Sequence, residues 1–223
     1  MTEASAERVL VSWSGGKDSS LALRAVLADP ALAVAGLVTT VTEGYDRISM
    51  HGVRRSLLRA QAESLELPLI EVPIPIRSSN DSYEAATLAA LEAHRAAGIE
   101  RVVFGDLFLA DVRAYRERLL ERAGMRCLFP LWGLDTRALA REFIAAGFRA
   151  VLCAVDPCQI DAGLCGRDYD ESLLAELPPG ADPCGENGEF HTFVHDGPPF
   201  ARPVPLRRGE VVEREGFVFC DLI

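Results

Sequence analysis

Long apolar runs, a secretory leader and an excess of positive charge are all missing from this sequence, and each absence excludes a class of protein. No stretch reaches the roughly 18 consecutive apolar residues that a membrane-spanning helix needs, so we expect no membrane partner. The N-terminal segment, residues 1–8, is short, polar and acidic, and it lacks the basic start and apolar core of a signal peptide. We therefore expect a cytoplasmic protein.

Basic residues are outnumbered in this chain. The 23 lysines and arginines stand against 33 aspartates and glutamates, which gives a formal net charge of -10. An acidic chain repels the phosphate backbone of nucleic acids, whose recognition usually requires a basic surface. A local basic patch around Arg54, Arg55 and Arg59 stays open. Even so, we do not expect tRNA or DNA to be the main partner.

Paired cysteines are missing as well. The six cysteines form no Cys-x-x-Cys pair, and no histidine lies at zinc-finger spacing from them. Inside a cell such cysteines are expected to be free thiols. The chain has 223 residues, of which 49% are hydrophobic and 25% charged. A globular protein of this size buries a sizeable core without disulfides or structural metals.

Strand-like and helix-like segments alternate through the first half of the chain. The predicted strands are 8–13, 33–40, 69–73 and 101–104, and the predicted helices are 18–28, 54–66, 81–97 and 111–123. Asp81 is positioned to cap the third of these helices. This alternation predicts an α/β fold, a Rossmann-like parallel sheet with helices on both faces. Ligands bind at the carboxyl ends of the strands in such sheets, so the segments that follow each strand are the candidates for a functional site.

The character of the sequence changes after about residue 130. Asp135 is positioned to cap a helix that ends near Gly147, and a strand is predicted at 148–155. The chain is then rich in Pro, Gly, Asp and Cys before a hairpin predicted over 210–221. We therefore predict a larger domain over residues 1–130 and a smaller C-terminal α+β lobe over residues 131–223.

The strongest functional signal is the segment 14–19, Ser-Gly-Gly-Lys-Asp-Ser, between the first predicted strand and helix. Its two glycines let the backbone approach a ligand, and the helix start offers free N–H groups and a positive dipole end. The two serine hydroxyls and the charge of Lys17 complete a polyphosphate site. It is not a Walker A loop, because Val11 stands where that pattern has glycine. Asp18 would repel bare phosphate, which indicates a Mg²⁺ ion between carboxylate and phosphates.

These six residues resemble the PP-loop of the ATP pyrophosphatases in the adenine nucleotide alpha hydrolase-like superfamily. The resemblance implies a Rossmann-like (HUP-type) sheet, adenine near the end of the second strand, and cleavage of ATP to AMP and pyrophosphate with Mg²⁺. Asp18 is the predicted metal ligand. The predicted nucleotide contacts are Ser12, Ser14, Gly15, Gly16, Lys17, Asp18, Ser19, Thr39, Thr40, His51, Gly105 and Asp106. The loop alone does not choose among amidating ligases, tRNA thiolation enzymes and tRNA lysidine synthases.

A second polar motif covers residues 182–194, Asp-Pro-Cys-Gly-Glu-Asn-Gly-Glu-Phe-His-Thr-Phe-Val. Its glycines predict a tight turn that presents Glu186 and Glu189. These carboxylates can bind Mg²⁺, hold an ammonium nucleophile or act as a base. His191 can move a proton. A polar surface turn before a hairpin, with His191 on the strand, is the simpler alternative.

The second motif resembles the Gly-Glu-x-Gly-Glu-aromatic-x-Thr signature of the diphthine–ammonia ligase family, and further matches run through nearly the whole chain. The resemblance implies that a substrate carboxylate attacks ATP to form an acyl-adenylate and that ammonia then displaces AMP. We therefore expect an AMP-forming, ATP-dependent amide ligase. Its catalytic residues are predicted to be Lys17, Asp18, Glu186, Glu189 and His191. The family pattern usually has an acidic residue where His191 stands, and the sequence after His51 also departs from it.

The expected partners are ATP, ammonia and a carboxylate substrate, with a protein side chain among the candidates; a homodimer stays open. Two other functions also stay open. One is a PP-loop tRNA sulfur transferase with Cys184 as the persulfide carrier, although the acidic charge weighs against it. The other is a sensor that holds ATP without catalysis, because a fold does not determine a function.

Overall fold

The computed structural model describes residues 6–44, 46–48 and 52–223, and contains two sheets. The strands are β1 (Glu7–Ser12), β2 (Leu32–Thr42), β3 (Arg47–Ile48), β4 (Leu69–Ile74), β5 (Arg101–Val103), β6 (Arg126–Leu128), β7 (Arg149–Val155), β8 (Phe190–Asp196), β9 (Arg208–Arg214) and β10 (Phe217–Leu222). The α-helices are α1 (Lys17–Leu27), α2 (Arg55–Ser64), α3 (Asn80–Ala96), α4 (Ala110–Arg122), α5 (Thr136–Ala145) and α6 (Glu171–Glu176), with a 3-10 turn at Ala162–Leu164.

The larger sheet is a parallel sheet in the order β4, β2, β1, β5, β6. The short strand β3 adds an antiparallel pairing at the end of β2. The chain leaves β1 toward β2 and β4 on one side and later returns to β5 and β6 on the other. The order therefore reverses at β1, and the crevice between the carboxyl ends of β1 and β5 is where such sheets bind ligands.

Helices cover both faces of this sheet, and the predicted fold class is confirmed. Val9 and Val11 of β1 pack with α1 and α2 on one face, and Leu10 packs with α3 and α4 on the other. All three side chains are fully buried. A strand buried on both faces shows a continuous apolar run, and this is how β1 reads in the sequence.

The smaller sheet is antiparallel, in the order β8, β7, β10, β9. Its apolar side chains belong to the same hydrophobic core as α1 and α2, so the C-terminal lobe lies on the side of the larger sheet that these helices cover. Strand β8 lies at the edge of the smaller sheet. This placement brings β8 beside the loop that follows β1, where the backbone N–H of Val194 donates to the carbonyl of Gly15 at 2.9 Å.

Helix ends follow the predicted chemistry in one case and depart from it in another. The Asp135 carboxylate caps α5 by accepting from the N–H of Ala138 at 2.8 Å, as predicted. The prediction that Asp81 caps α3 is wrong. That helix is capped by Ser79, whose hydroxyl accepts from Ser82, and Asp81 lies in the first turn.

The strands β3 and β6 and the helix α6 were not predicted, because segments of two to six residues carry little periodicity.

The six cysteines are free thiols. Within the ranges given above, no helix is both long enough and apolar enough to cross a membrane.

The aromatic stack around Phe143 yields a test of the core. Its ring is fully buried, lies 4.7 Å from that of Phe148 and meets Tyr169 edge-on. We expect Phe143→Ala to lower the free energy of unfolding by about 3–5 kcal/mol, since it removes packing and leaves a cavity. Phe108→Ala, at a site 41% exposed, is the matched control and should cost much less. If urea unfolding shows the same loss of unfolding free energy for both variants, this description of the core is contradicted.

Candidate functional site

A cleft lies at the switch point of the larger sheet and brings the two sequence motifs together. One wall is the PP-loop, residues 14–19, with the segment after β5. The other is the turn at residues 182–189, here called the signature turn, with the start of β8. The cleft is lined by Ser12, Ser14, Gly16, Lys17, Asp18, Ser19, Phe104, Gly105, Asp106, Arg116, Gly185, Glu186, Gly188, Phe190, His191 and Thr192. Motifs more than 160 residues apart therefore form one site.

The hydroxyl groups of the PP-loop form hydrogen bonds within the loop. The Ser14 hydroxyl accepts from the N–H of Gly16 at 3.2 Å and donates to the Ser19 hydroxyl at 3.1 Å. Gly105 permits the close approach of the β5 end to this loop, because a Cβ there would lie 2.7 Å from the carbonyl group of Asp18. Except for Gly15, the predicted loop residues line the cleft together with Gly105.

Lys17 is the only lysine in the chain, and its ammonium group is buried. It donates to both carboxylate oxygens of Asp18 at 2.8 Å and to the carbonyl oxygen of Cys184 in the signature turn, and it lies 5.7 Å from the centre of the Phe190 ring. Burial lowers the pKa of Lys17, but the charge and hydrogen bonds of Asp18 act together with the nearby Cys184 and Asp182, and the net pKa is raised. Lys17 is therefore a cation that joins the two motifs.

Glu186 lies across the cleft and is half-buried. Its Oε1 accepts from the backbone N–H groups of Leu107 at 2.7 Å and Phe108 at 3.3 Å. Burial raises the pKa of the Glu186 carboxyl, and the nearby charge of Asp18 adds to the rise against these two hydrogen bonds. A carboxyl group with a raised pKa in a cleft is suited to proton transfer.

Glu189 does not line the cleft. It is 2% exposed, and its carboxylate accepts from the N–H of Asp182 at 2.7 Å and from the backbone and side chain of Asn187 at 3.0 Å each. These bonds close the signature turn on itself. The structure therefore places the two glutamates predicted from the motif differently, with Glu186 in the cleft and Glu189 inside the turn.

His191 lines the cleft from β8, and its ring lies 6.3 Å from that of Phe217. Burial lowers the pKa of His191 to about 4, and the charge of Lys17 contributes. The imidazole is therefore neutral near neutral pH.

The predicted nucleotide contacts outside the PP-loop do not all lie at this cleft. Thr39 and Thr40 belong to β2 and pair with β4, and Thr39 is buried in the sheet. Neither residue lines the cleft. His51 lies outside the described residues. Asp106 does line the cleft, in a two-fold hydrogen-bonded pair with Arg116 at 2.6 and 3.0 Å.

Sequence reasoning missed Thr192, Arg116 and Gln61 as parts of the site. The Thr192 hydroxyl accepts from the N–H of Lys17 at 3.0 Å and so caps the start of α1 from the other lobe. Arg116 lies over the Phe104 ring at 4.6 Å. Thr192 was already the last residue of the signature, whereas no spacing pattern points to Arg116. The composition held one further signal for the site, because Lys17 is the only lysine in the sequence.

Comparison with known proteins decides the family. The diphthamide synthase N-terminal domain matches residues 7–127, and the diphthamide synthase C-terminal domain matches residues 135–221. The chain belongs to the diphthamide synthase family. The family resemblance predicted from the two motifs is thereby confirmed.

Curated members of the family named diphthine–ammonia ligase align over 96% of this chain. The Schizosaccharomyces pombe protein is 28% identical over 239 residues, the Mus musculus protein 26% over 247, and the Homo sapiens protein 28% over 241. The chain spans 38% of the length of the S. pombe relative and 88% of the mouse and human relatives.

Cys184, which stands inside the family signature, is not poised to react. The thiol is 2% exposed and donates to the carbonyl of Thr136 at 3.3 Å. Burial raises the pKa of Cys184 to about 12. The thiolate that a persulfide carrier needs is therefore disfavoured, which weakens the sulfur-transferase alternative.

The pKa of His191 gives a test by NMR. The folded pKa of about 4 lies below the ordinary value of 6.5, so this group stabilises the fold fully above about pH 6.5 and loses that contribution as the pH falls through about 4. We expect one of the four histidine rings to titrate near pH 4, and His191→Gln to remove that signal. A His191 midpoint close to 6.5 would show that the imidazole is not buried as described.

Proposed function

We propose that this protein is an AMP-forming, ATP-dependent ligase that joins ammonia to a substrate carboxylate. The relatives named diphthine–ammonia ligase support a ligase that uses ammonia. One observation carries the proposal. The PP-loop and the signature turn meet in a single cleft, where Lys17 donates to Cys184 and Glu186 stands opposite Asp18. A diphthine-type carboxylate on a protein is the proposed acceptor.

We assign the nucleotide to the larger domain, residues 1–130, and the acceptor to the smaller lobe, residues 131–223. The strands of the parallel sheet end with β6, and α5 opens the part of the chain that builds the antiparallel sheet. The remaining predicted nucleotide contacts stay part of this proposal: Ser12, Gly15, Thr39, Thr40, His51, Gly105 and Asp106.

The proposal includes a divalent cation beside Asp18. In the described part of the chain, no cluster of three or more His, Cys, Asp or Glu side chains could hold a metal ion by itself. Mg²⁺ commonly uses one or two carboxylates together with substrate phosphates and water. The Asp18 side chain is 31% exposed at the cleft wall, so it fits as the one protein ligand. Bound there, Mg²⁺ would neutralise phosphate charge.

The chemistry then divides between two steps. A carboxylate oxygen of the acceptor attacks the α-phosphorus of ATP, the bond to pyrophosphate breaks, and an acyl-adenylate forms. Ammonia attacks the acyl carbon, AMP leaves with the bonding electrons, and nitrogen loses a proton. The Lys17 ammonium is placed to stabilise charge on the phosphates. Glu186, with its raised pKa, and the neutral His191 are the groups placed to accept the proton.

For Glu189 we propose a positioning role in place of direct catalysis. Its three accepted hydrogen bonds hold the signature turn in shape. That turn presents Glu186 to the cleft and the Cys184 carbonyl to Lys17.

Asp18→Asn tests the proposed nucleotide site. We expect the variant to form AMP about 100-fold more slowly, the size of loss seen when one stabilising group is removed from an active site. The assay supplies Mg²⁺, labelled ATP, ammonium and a fractionated extract of the source organism, and separates AMP from ADP. Asp111→Asn, which makes the same charge change at an exposed position of α4, should leave the rate unchanged. Release of ADP and phosphate, or turnover that ignores ammonium, would refute the amide-ligase proposal.

Cys184→Ser separates the ligase from a sulfur transferase. The buried, protonated thiol takes no part in the proposed steps, so the variant should keep ammonium-dependent AMP release, whereas Glu186→Gln should lose most of it. Loss of turnover in a folded Cys184→Ser variant, together with sulfur incorporation by the wild type, would favour the transferase. Binding of ATP without AMP release under every condition would favour a sensor.

A further inference from the structure

Gln61 of α2 joins three parts of the molecule and does not line the cleft. Its side chain is fully buried. The amide nitrogen Nε2 donates to the carbonyl of Gly15 in the PP-loop at 2.9 Å and to the carbonyl of Val194 in β8 at 2.6 Å. The amide oxygen Oε1 accepts from the indole N–H of Trp13, just before the loop, at 3.0 Å.

The partners of Gln61 allow only one orientation of its amide group. An indole N–H only donates and a backbone carbonyl only accepts, so Oε1 must face Trp13 and Nε2 must face the two carbonyls. No other side chain of this size offers two donors and one acceptor in that arrangement. An ionised glutamate would turn an oxygen toward two carbonyl oxygens, and an apolar isostere would leave three buried polar groups with one partner fewer.

Strand β8 reaches the same loop by two further contacts. The N–H of Val194 donates to the Gly15 carbonyl at 2.9 Å, so this carbonyl accepts from β8 and from Gln61 together. The Thr192 hydroxyl accepts from Lys17. Gly15 has a φ of 78°, and a Cβ on it would lie 2.6 Å from Oε1 of Gln61. The left-handed backbone of the loop is therefore fitted directly against this amide.

We propose that Gln61 is a positioning residue of the phosphate site: its amide fixes the Gly15 carbonyl and ties the PP-loop to β8, so the loop keeps its nucleotide-binding shape only while the smaller lobe is docked. The inference rests on the proposed function for the identity of the ligand, ATP. The coupling of loop and lobe through Gln61 stands on the contacts themselves. Gln61 touches no substrate in this arrangement and acts through Gly15.

The single lysine offers a direct readout of the loop. Protein labelled with [¹⁵N]lysine has one labelled backbone amide, that of Lys17, whose N–H bonds to Thr192. The variants are Gln61→Glu, which keeps the shape and removes the donors, and Gln61→Met, which keeps the volume and is the safer variant for folding. Each is examined for its Lys17 amide signal without ligand, for its Kd for Mg·ATP by titration calorimetry, and for its Tm.

Ser64→Ala is the matched control. Ser64 lies one turn further along α2, is also buried, and bonds through its hydroxyl to the carbonyl and the N–H of Arg202, so it likewise ties α2 to the C-terminal part of the chain. It makes no contact with the PP-loop among the hydrogen bonds of the described residues. A loss of general stability should therefore affect Tm in this control without changing the loop.

We expect both Gln61 variants to shift or broaden the Lys17 signal in the ligand-free protein and to raise the Kd for Mg·ATP about tenfold or more, the effect of losing about 1.4 kcal/mol of binding free energy. Ser64→Ala should keep the wild-type signal and Kd. If the Gln61 variants lower Tm as the control does but keep the wild-type Lys17 signal, Gln61 is only a packing residue and the inference is overturned. If wild-type protein binds no Mg·ATP, the proposed function fails, while the ligand-free Lys17 signal still decides the coupling.

Discussion

The buried ammonium of Lys17 is the interaction on which the site depends. A charge removed from water is tolerated only where it is paired and hydrogen-bonded. Asp18 supplies the opposite charge from the same loop, but the Cys184 carbonyl comes from the signature turn more than 160 residues away. The burial of this one lysine therefore requires the smaller lobe to be docked on the PP-loop. The position of Glu186 in the cleft follows from the same docking.

The other charged side chains around the cleft are also paired or hydrogen-bonded. Arg116 and Asp106 neutralise each other beside the PP-loop, and the Glu189 carboxylate is satisfied within its own turn. Glu186 accepts only backbone N–H groups and has no cationic partner among the described hydrogen bonds. Burial therefore raises the pKa of Glu186 without an opposing cation, whereas arginine hydrogen bonds lower the pKa values of the paired acids Glu71 and Asp221 to about 2. Pairing thus separates structural carboxylates from one that is suited to move a proton.

Much of the architecture was predictable because it rests on local patterns. The strand–helix alternation predicted the parallel sheet, and the glycines and charges of residues 14–19 predicted the phosphate loop at its carboxyl edge. The motif at residues 182–194 located Glu186 and His191, which the structure brings to the cleft. The short elements β3, β6 and α6 escaped prediction, since they form only against neighbours that are distant in sequence. The cap of α3 also differed from the predicted one. Ser79 and Asp81 can both act as an N-cap, and the folded backbone determines that Ser79 does so.

The sequence by itself determined the family, the sheet and the two motifs, since periodicity and turn chemistry act over a few residues at a time. Only the tertiary structure decided which residues of each motif line the cleft. Glu186 and Glu189 are three residues apart and have the same side chain, yet Glu186 lines the cleft and Glu189 holds the turn together. Gln61 and Thr192 are joined to the PP-loop only through hydrogen bonds to Gly15 and Lys17. Such bonds depend on how two lobes pack, and no local pattern in the chain encodes them.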